Sequence, residues 1–107
     1  MKTLKLKAWG ETFKLNTFVS TYRNNDNLYV GLVDSEDGCP FADLTVNIRQ
    51  LKDKEMAVID TNNCPWAEEF IESNGLGSDT GMLEVSGFCV YPIYLLNMEK
   101  IKEYAVC

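Results

Sequence analysis

The first twenty residues alternate between apolar and polar side chains. Leu4, Leu6 and Ala8 alternate with lysines, and the alternation resumes after a turn at Trp9-Gly10. A period of two places successive side chains on opposite faces of a strand. The pattern therefore predicts a β-hairpin over residues 3–20, with its aliphatic face toward the interior and its lysines in solvent.

More segments rich in β-branched and aromatic residues follow, each bounded by turn-forming residues. They predict strands over residues 28–33, 41–48, 56–60 and 82–91, with a short extended segment over 94–96. The glycine-rich segment 76–81 is predicted to be a loop. Gly87 is interpreted as a bulge, and Pro92 should restrict its strand to an edge or an end, because proline cannot donate a ladder hydrogen bond.

Between these strands the period changes to that of a helix. Trp66, Phe70 and Ile71 recur at helical spacing, Pro65 suits a first helical turn, and Gly75 suits the residue after a helix. A helix is therefore predicted over residues 65–74. A second, short helix from Met98 to about Tyr104 is predicted, with Asn97 as its N-cap.

The order of elements is five strands, a helix, one or two strands and a helix. Such an order indicates an α+β fold. We expect residues 1–107 to form a single domain with a mostly antiparallel sheet of about five to seven strands and two short helices packed on one face. A chain of 107 residues is long enough to bury its own apolar core.

The net charge of −6 is confined to the second half of the chain. Residues 1–55 are neutral overall, and residues 56–107 carry eight acidic and only two basic side chains. Direct binding to nucleic acid is disfavoured, because it depends on lysine and arginine at the phosphates. The acidic half is either a solvated, solubilising face or a surface that meets a basic protein partner.

The chain has no histidine, which removes the commonest general base and the usual activation of serine or cysteine nucleophiles. We therefore expect no enzymatic activity, no metal and no cofactor. The cysteines are too widely spaced for a zinc site and are expected to be reduced thiols. Cys64 lies at the predicted helix N-terminus, which should lower its thiol pKa. Cys107 ends the chain and is a candidate for oxidation or an intermolecular disulfide.

Targeting signals are absent from the sequence as given. No apolar segment follows the first residues, and the longest uncharged stretch, Val85 to Met98, has 14 residues. A membrane span needs roughly 18 apolar residues or more. We therefore expect a cytoplasmic protein without membrane contact.

One set of side chains is the best candidate for an interaction surface. The acidic residues surround the predicted first helix, and a tryptophan at its start could anchor a contact, although core packing is the more common role for such a residue. The candidate interaction residues are Trp66, Glu68, Glu69, Glu72, Asp79 and Glu84.

The segment 60–71, Asp-Thr-Asn-Asn-Cys-Pro-Trp-Ala-Glu-Glu-Phe-Ile, with the Asn-Gly-Leu-Gly of 74–77, resembles a family of small uncharacterised proteins. The Ser-Gly-Phe-Cys of 86–89 and the closing Lys-Glu-Tyr fit the same pattern. That family is a domain of unknown function carried on conjugative elements and phages of Gram-positive bacteria. The resemblance implies an accessory role on a mobile element, and small acidic proteins of such elements often resemble anti-CRISPR and other host-defence inhibitors.

The leading hypothesis is an acidic, anti-CRISPR-like inhibitor that covers the nucleic-acid-binding surface of a basic host protein, such as a nuclease or a CRISPR effector. One alternative is a small-ligand sponge with a nucleotide pocket lined by Trp66, Tyr91 and Tyr94. A second is an enzyme that uses carboxylates or Cys64. A third is an accessory protein that forms a homodimer through an edge strand and has no inhibitor activity.

Overall fold

The chain folds into two antiparallel sheets and two short helices around a shared core. The computed structural model describes residues 2–106. Its elements are β1 (Leu4–Ala8), β2 (Glu11–Thr21), β3 (Leu28–Asp34), β4 (Pro40–Asp43), β5 (Met56–Val58), α1 (Ala67–Ser73), β6 (Gly77–Ser86), β7 (Cys89–Leu96) and α2 (Met98–Lys102). The strand order is β1-β2-β3-β4 in one sheet and β5-β7-β6 in the other. The α+β class is confirmed, with the seven strands divided between two sheets.

The amino-terminal hairpin follows its sequence pattern. Leu4 and Leu6 are buried, the intervening lysines are exposed, and Ala8 faces Glu11 across the turn. Trp9 and Gly10 both have positive φ, at 52° and 75°. Two consecutive residues of this kind make a turn whose twist matches that of the flanking strands.

The strand predicted over 41–48 ends at Asp43 instead. The Leu44 N–H still donates to the Val30 carbonyl at 2.9 Å, but the Val30 N–H is accepted by the Thr45 hydroxyl at 3.2 Å, which also hydrogen-bonds the Tyr22 hydroxyl. The N–H of the following residue, Val46, donates to the carbonyl oxygen of Val58 in β5 at 2.9 Å. The apolar alternation is therefore correct, but the chain crosses from one sheet to the other.

The carboxy-terminal half holds a hairpin that the sequence pattern did not predict. Strand β6 begins at Gly77, within the predicted loop, and a Gly87-Phe88 turn divides the predicted strand. Gly87 has a φ of 61°, so it forms the turn and is not a bulge. The interpretation of Pro92 was also wrong, because this residue lies within β7, the central strand. Its missing N–H is tolerated there because β5 ends at Val58, the partner of Ile93, so no residue of β5 lies opposite Pro92.

The first helix is shorter than predicted because turns occupy residues 61–66. Asp60 holds the first of these turns, at residues 61–63, because its carboxylate accepts hydrogen bonds from the backbone and side-chain nitrogens of Asn63 at 3.1 and 2.8 Å. The second helix has the predicted cap, since the Asn97 side chain accepts the Lys100 N–H. Neither helix between residues 2 and 106 is long and apolar enough to cross a bilayer.

A single main core joins both sheets and both helices. It combines Leu6 of β1, Phe70 of α1, Tyr94 of β7 and Ile101 of α2. A smaller core lies on the other face of β7, around Val58, Tyr91 and Ile93. The two faces of β7 are therefore both covered along much of the strand.

Two buried polar residues of β2 attach the chain ends to the first sheet. The Asn16 amide donates to the carbonyl oxygens of Lys2 and Tyr104 at 2.8 and 3.0 Å. The Thr17 hydroxyl donates to the Ile101 carbonyl at 2.9 Å. Together with the backbone hydrogen bonds of Thr17 to residues 104 and 106, these side chains attach α2 and the segment after it to β2.

We expect Asn16→Ala to lower the free energy of unfolding by about 1–2 kcal/mol, since the Lys2 carbonyl loses this donor and the Tyr104 carbonyl keeps only the Thr17 N–H. Urea denaturation followed by circular dichroism measures this change. The control is Asn62→Ala at an exposed turn, which should change the free energy by less than ~0.5 kcal/mol. Equal stability of the two variants would contradict a structural role for Asn16.

Candidate protein-binding surface

Tyr94 is the side chain that organises the acidic residues of α1. Its ring is fully buried, and its hydroxyl lies 3.1 Å from Glu68 Oε1 and 2.7 Å from Glu72 Oε2. The two glutamates are four residues apart and lie on the same face of the helix. Burial, followed by the contacts with Glu72 and Glu68, raises the pKa of Tyr94, so the phenol stays protonated; its one hydrogen is shared between the two carboxylates, of which Glu72 is the nearer acceptor.

A third carboxylate, Asp79, lies on the neighbouring strand β6. It faces Tyr94 in the β6–β7 register and therefore lies on the sheet face that α1 covers. It is exposed, and its Oδ1 accepts the Gly81 N–H at 2.8 Å. We name Glu68, Glu72 and Asp79 the acidic cluster. Within residues 2–106, no three potential ligand side chains are arranged to hold a metal ion.

Glu69 does not belong to the acidic cluster, although it neighbours Glu68 in sequence. It is exposed and borders an open depression of about 250 Å³, together with Lys5, Lys7 and Trp66. The lysines come from β1, which lies across the depression from α1. The charge of Glu69 is therefore partly balanced by cations of the same chain.

Trp66 is partly buried against the main core. Its ring lies 5.7 Å from that of Phe70 and 6.3 Å from that of Phe41, measured between centroids. The indole Nε1 is buried and has no hydrogen-bond partner among residues 2–106. Most of this side chain therefore packs inside the protein, and its contribution to binding stays a prediction.

Glu84 is separated from the acidic cluster and is not a free surface charge. It is 8% exposed and pairs with Arg49, whose Nε lies 2.9 Å from Glu84 Oε1. It faces Tyr91 and so lies on the opposite side of β6 from Asp79. The expectation that Glu84 attracts a partner was wrong, because the fold brings a distant arginine to its carboxylate.

An exposed apolar surface adjoins the acidic cluster, and sequence analysis missed it. Leu83, Val85 and Val90 are 63%, 60% and 53% exposed and share the β6–β7 face of Asp79, while Phe88 is fully exposed at the turn. We name these four residues the hairpin face. The only signal in the sequence was the alternation of Leu83 and Val85, which is equally typical of a buried strand.

Trp66, Tyr91 and Tyr94 do not form the small-ligand pocket that the sequence suggested. Trp66 and Tyr94 both pack on the main core, whereas Tyr91 lies in the smaller core on the other face of β7. Side chains three residues apart on a strand point to opposite faces. The three aromatic residues therefore do not line a common cavity.

Cys64 is a buried thiol whose pKa is raised, contrary to the sequence-based expectation. It is 3% exposed, and its Sγ lies 3.5 Å from the Asp43 carbonyl oxygen. Burial, with smaller contributions from Asp60 and Asp43, raises its pKa to about 11. Cys64 precedes the helix by three residues, so no helix N-terminus offsets this burial. Cys39, Cys64 and Cys89 are free thiols, and Cys107 lies outside the described residues.

The fold and this surface define a small α+β domain with an acidic cluster beside an exposed apolar hairpin. Residues 16–106 match the family described as Domain of unknown function (DUF4313), and the chain belongs to that family. No curated protein and no solved structure matches the chain to a significant degree. The resemblance to an uncharacterised domain family is thus confirmed, and the association with mobile elements stays a prediction.

Replacing the Tyr94 hydroxyl by hydrogen tests whether it holds Glu68 and Glu72. We expect Tyr94→Phe to lower the free energy of unfolding by about 1–2 kcal/mol in urea denaturation, since a hydrogen bond to charged groups is lost while the ring stays packed. Tyr29→Phe is the control, because the Tyr29 hydroxyl bonds the exposed Asp43 carboxylate. A larger loss in Tyr29→Phe would contradict the role of Tyr94.

The raised pKa of Cys64 predicts slow alkylation in the folded protein. At pH 8, iodoacetamide should modify Cys64 at least about a hundredfold more slowly in the folded than in the unfolded chain, because the thiolate is the reactive form. Peptide mass spectrometry measures both rates. The exposed Cys39 should show a much smaller ratio. Equal rates for Cys64 in the two states would contradict its burial.

Proposed function

We propose that this protein is a non-enzymatic binding module whose acidic cluster docks on a basic surface of a partner protein. The observation that carries the proposal is that one phenol hydroxyl contacts both Glu68 and Glu72, on the sheet face that also carries Asp79. The surface of the partner is one that otherwise binds nucleic acid, since such surfaces present arranged lysines and arginines.

The charges of the acidic cluster are available to a partner. The ion pairs between residues 2 and 106 join Lys2 to Glu103 and Arg49 to Glu84, and neither involves the acidic cluster. The net charge of −6 adds a long-range attraction toward a basic protein. Electrostatic attraction of this kind accelerates association and selects the partner.

Pre-organisation makes the two glutamates better ligands than mobile surface carboxylates. A long side chain that is immobilised on binding loses conformational entropy, which weakens the contact. The Tyr94 hydroxyl already restricts both glutamates in the free protein. The adjoining hairpin face supplies apolar area, and interfaces commonly combine an apolar centre with a charged rim.

The biological form of this proposal is an inhibitor of a host defence protein, carried on a mobile element and acting in the cytoplasm. Two features support it. The chain has no histidine for catalysis, and it carries its negative charge on one half of its sequence. The partner in this form is a nuclease or a CRISPR effector whose nucleic-acid channel is covered by the acidic cluster.

The test compares two triple variants that remove the same number of charges. Glu68→Gln/Glu72→Gln/Asp79→Asn keeps the acceptor oxygens and neutralises the acidic cluster. The matched control, Glu11→Gln/Glu36→Gln/Asp37→Asn, removes three exposed charges elsewhere. Both variants carry a net charge of −3, so a difference between them reports on position and not on total charge.

Tagged wild-type protein and both variants are used to capture proteins from a bacterial lysate at low and high salt. We expect the wild type and the control variant to retain a nucleic-acid-binding protein that salt and added DNA or RNA release. The cluster variant should retain at least about tenfold less, which corresponds to ~1.4 kcal/mol of binding free energy. Retention that is equal for all three proteins, or insensitive to salt and nucleic acid, would refute the proposal.

A further inference from the structure

Strand β6 is an edge of the three-stranded sheet, and part of its backbone faces outward. The Pro92 carbonyl accepts the Ile59 N–H at 3.0 Å, on the β5 side of β7. In a strand, the N–H and C=O of one residue point to the same side. The carbonyl of Pro92 points toward β5, so Pro92 and its β6 partner Leu83 form a pair without backbone hydrogen bonds between them. Val85 and Val90 form the next such pair. The N–H and C=O groups of Leu83 and Val85 therefore point to the open edge.

The other sheet edges formed by residues 2–106 are protected by common devices. Strand β1 carries the exposed lysines Lys5 and Lys7. Strands β4 and β5 are short, with four and three residues, and β5 also accepts a backbone hydrogen bond from the Val46 N–H. Short edge strands and edge lysines prevent pairing with other chains. The β6 segment 82–86 is longer than β4 or β5 and carries no lysine; its one charge, Glu84, points to the opposite face, and the register irregularity of β6 lies before this segment, between Asp79 and Leu83.

The charge distribution favours a second copy of this chain as the occupant of the open edge. Two molecules of net charge −6 repel each other in most orientations. The segment 80–92 contains no charged residue except Glu84, which is neutralised by Arg49. Two copies can therefore approach through this segment without bringing unpaired charges together.

We propose that two copies pair β6 with β6 in an antiparallel manner about a two-fold axis. The two three-stranded sheets then form one six-stranded sheet, in which the outward backbone groups of Leu83 and Val85 gain partners. The same pairing joins the two hairpin faces into one apolar surface and reduces its exposure. A two-fold arrangement closes on itself, so the assembly stops at a dimer.

Sedimentation velocity of the full chain, in reducing buffer to exclude disulfide-linked species, tests this dimer. Over a roughly hundredfold range of protein concentration, the wild-type mass should rise from 12.1 kDa toward twice that value. Val85→Lys introduces a charge at the open edge and should remain at 12.1 kDa throughout. Phe18→Lys adds the same charge at an exposed position of β2 and should still dimerise.

A wild-type protein that stays at 12.1 kDa at every concentration would overturn the proposal. Equal loss of the dimer in Val85→Lys and Phe18→Lys would also overturn it, because charge alone would then explain the effect. Far-UV circular dichroism checks that Val85→Lys is folded, and Leu83→Lys repeats the test at the other outward residue. The cluster variant changes no residue of the β6 segment 82–86 and should dimerise, so the dimer and the acidic surface are tested separately.

Discussion

A buried phenol needs a hydrogen-bond partner for its hydroxyl, and in this protein the partners of Tyr94 are two carboxylates one helical turn apart. The orientation of α1 satisfies this requirement, because one face of the helix presents Glu68 and Glu72 together. The ring of Tyr94 is buried with Phe70 and Ile71 in the main core. The core contacts of Ala67, Phe70 and Ile71 thus place the helix, and one hydroxyl group in the central strand of the smaller sheet restricts the two glutamates on it.

The division of the strands between two sheets has a similarly local cause. The Thr45 hydroxyl takes the hydrogen bond that a continued strand would accept from Val30, and the next residue turns to β5. At the other end of the first sheet, Asn16 and Thr17 bond the backbone near both chain ends. Buried polar side chains therefore help to end strands and to attach α2 to β2, while the apolar residues supply most of the stabilising burial.

The surface combines two kinds of unpaired group on the same side of the hairpin. Among residues 2–106, no lysine or arginine forms an ion pair with the acidic cluster. The apolar side chains of the hairpin face are exposed to solvent. Exposed apolar patches beside polar groups commonly mark interaction sites. In a family described as a domain of unknown function, the proposed partner binding and the proposed dimer both use the hairpin face, the first together with the acidic cluster and the second together with the outward backbone of β6.

The sequence alone determined the α+β class, the first hairpin, the cap of α2 and the helical position of Glu68 and Glu72, because these depend on local periodicity and on capping side chains. It could not reveal that Arg49 neutralises Glu84, that Tyr94 joins α1 to β7, or that Cys64 is buried in the main core. Nor could alternation distinguish an outward from an inward apolar face, so Leu83 and Val85 were not recognised as exposed. These features depend on contacts between residues distant in the chain, and only the tertiary structure decides which of them meet.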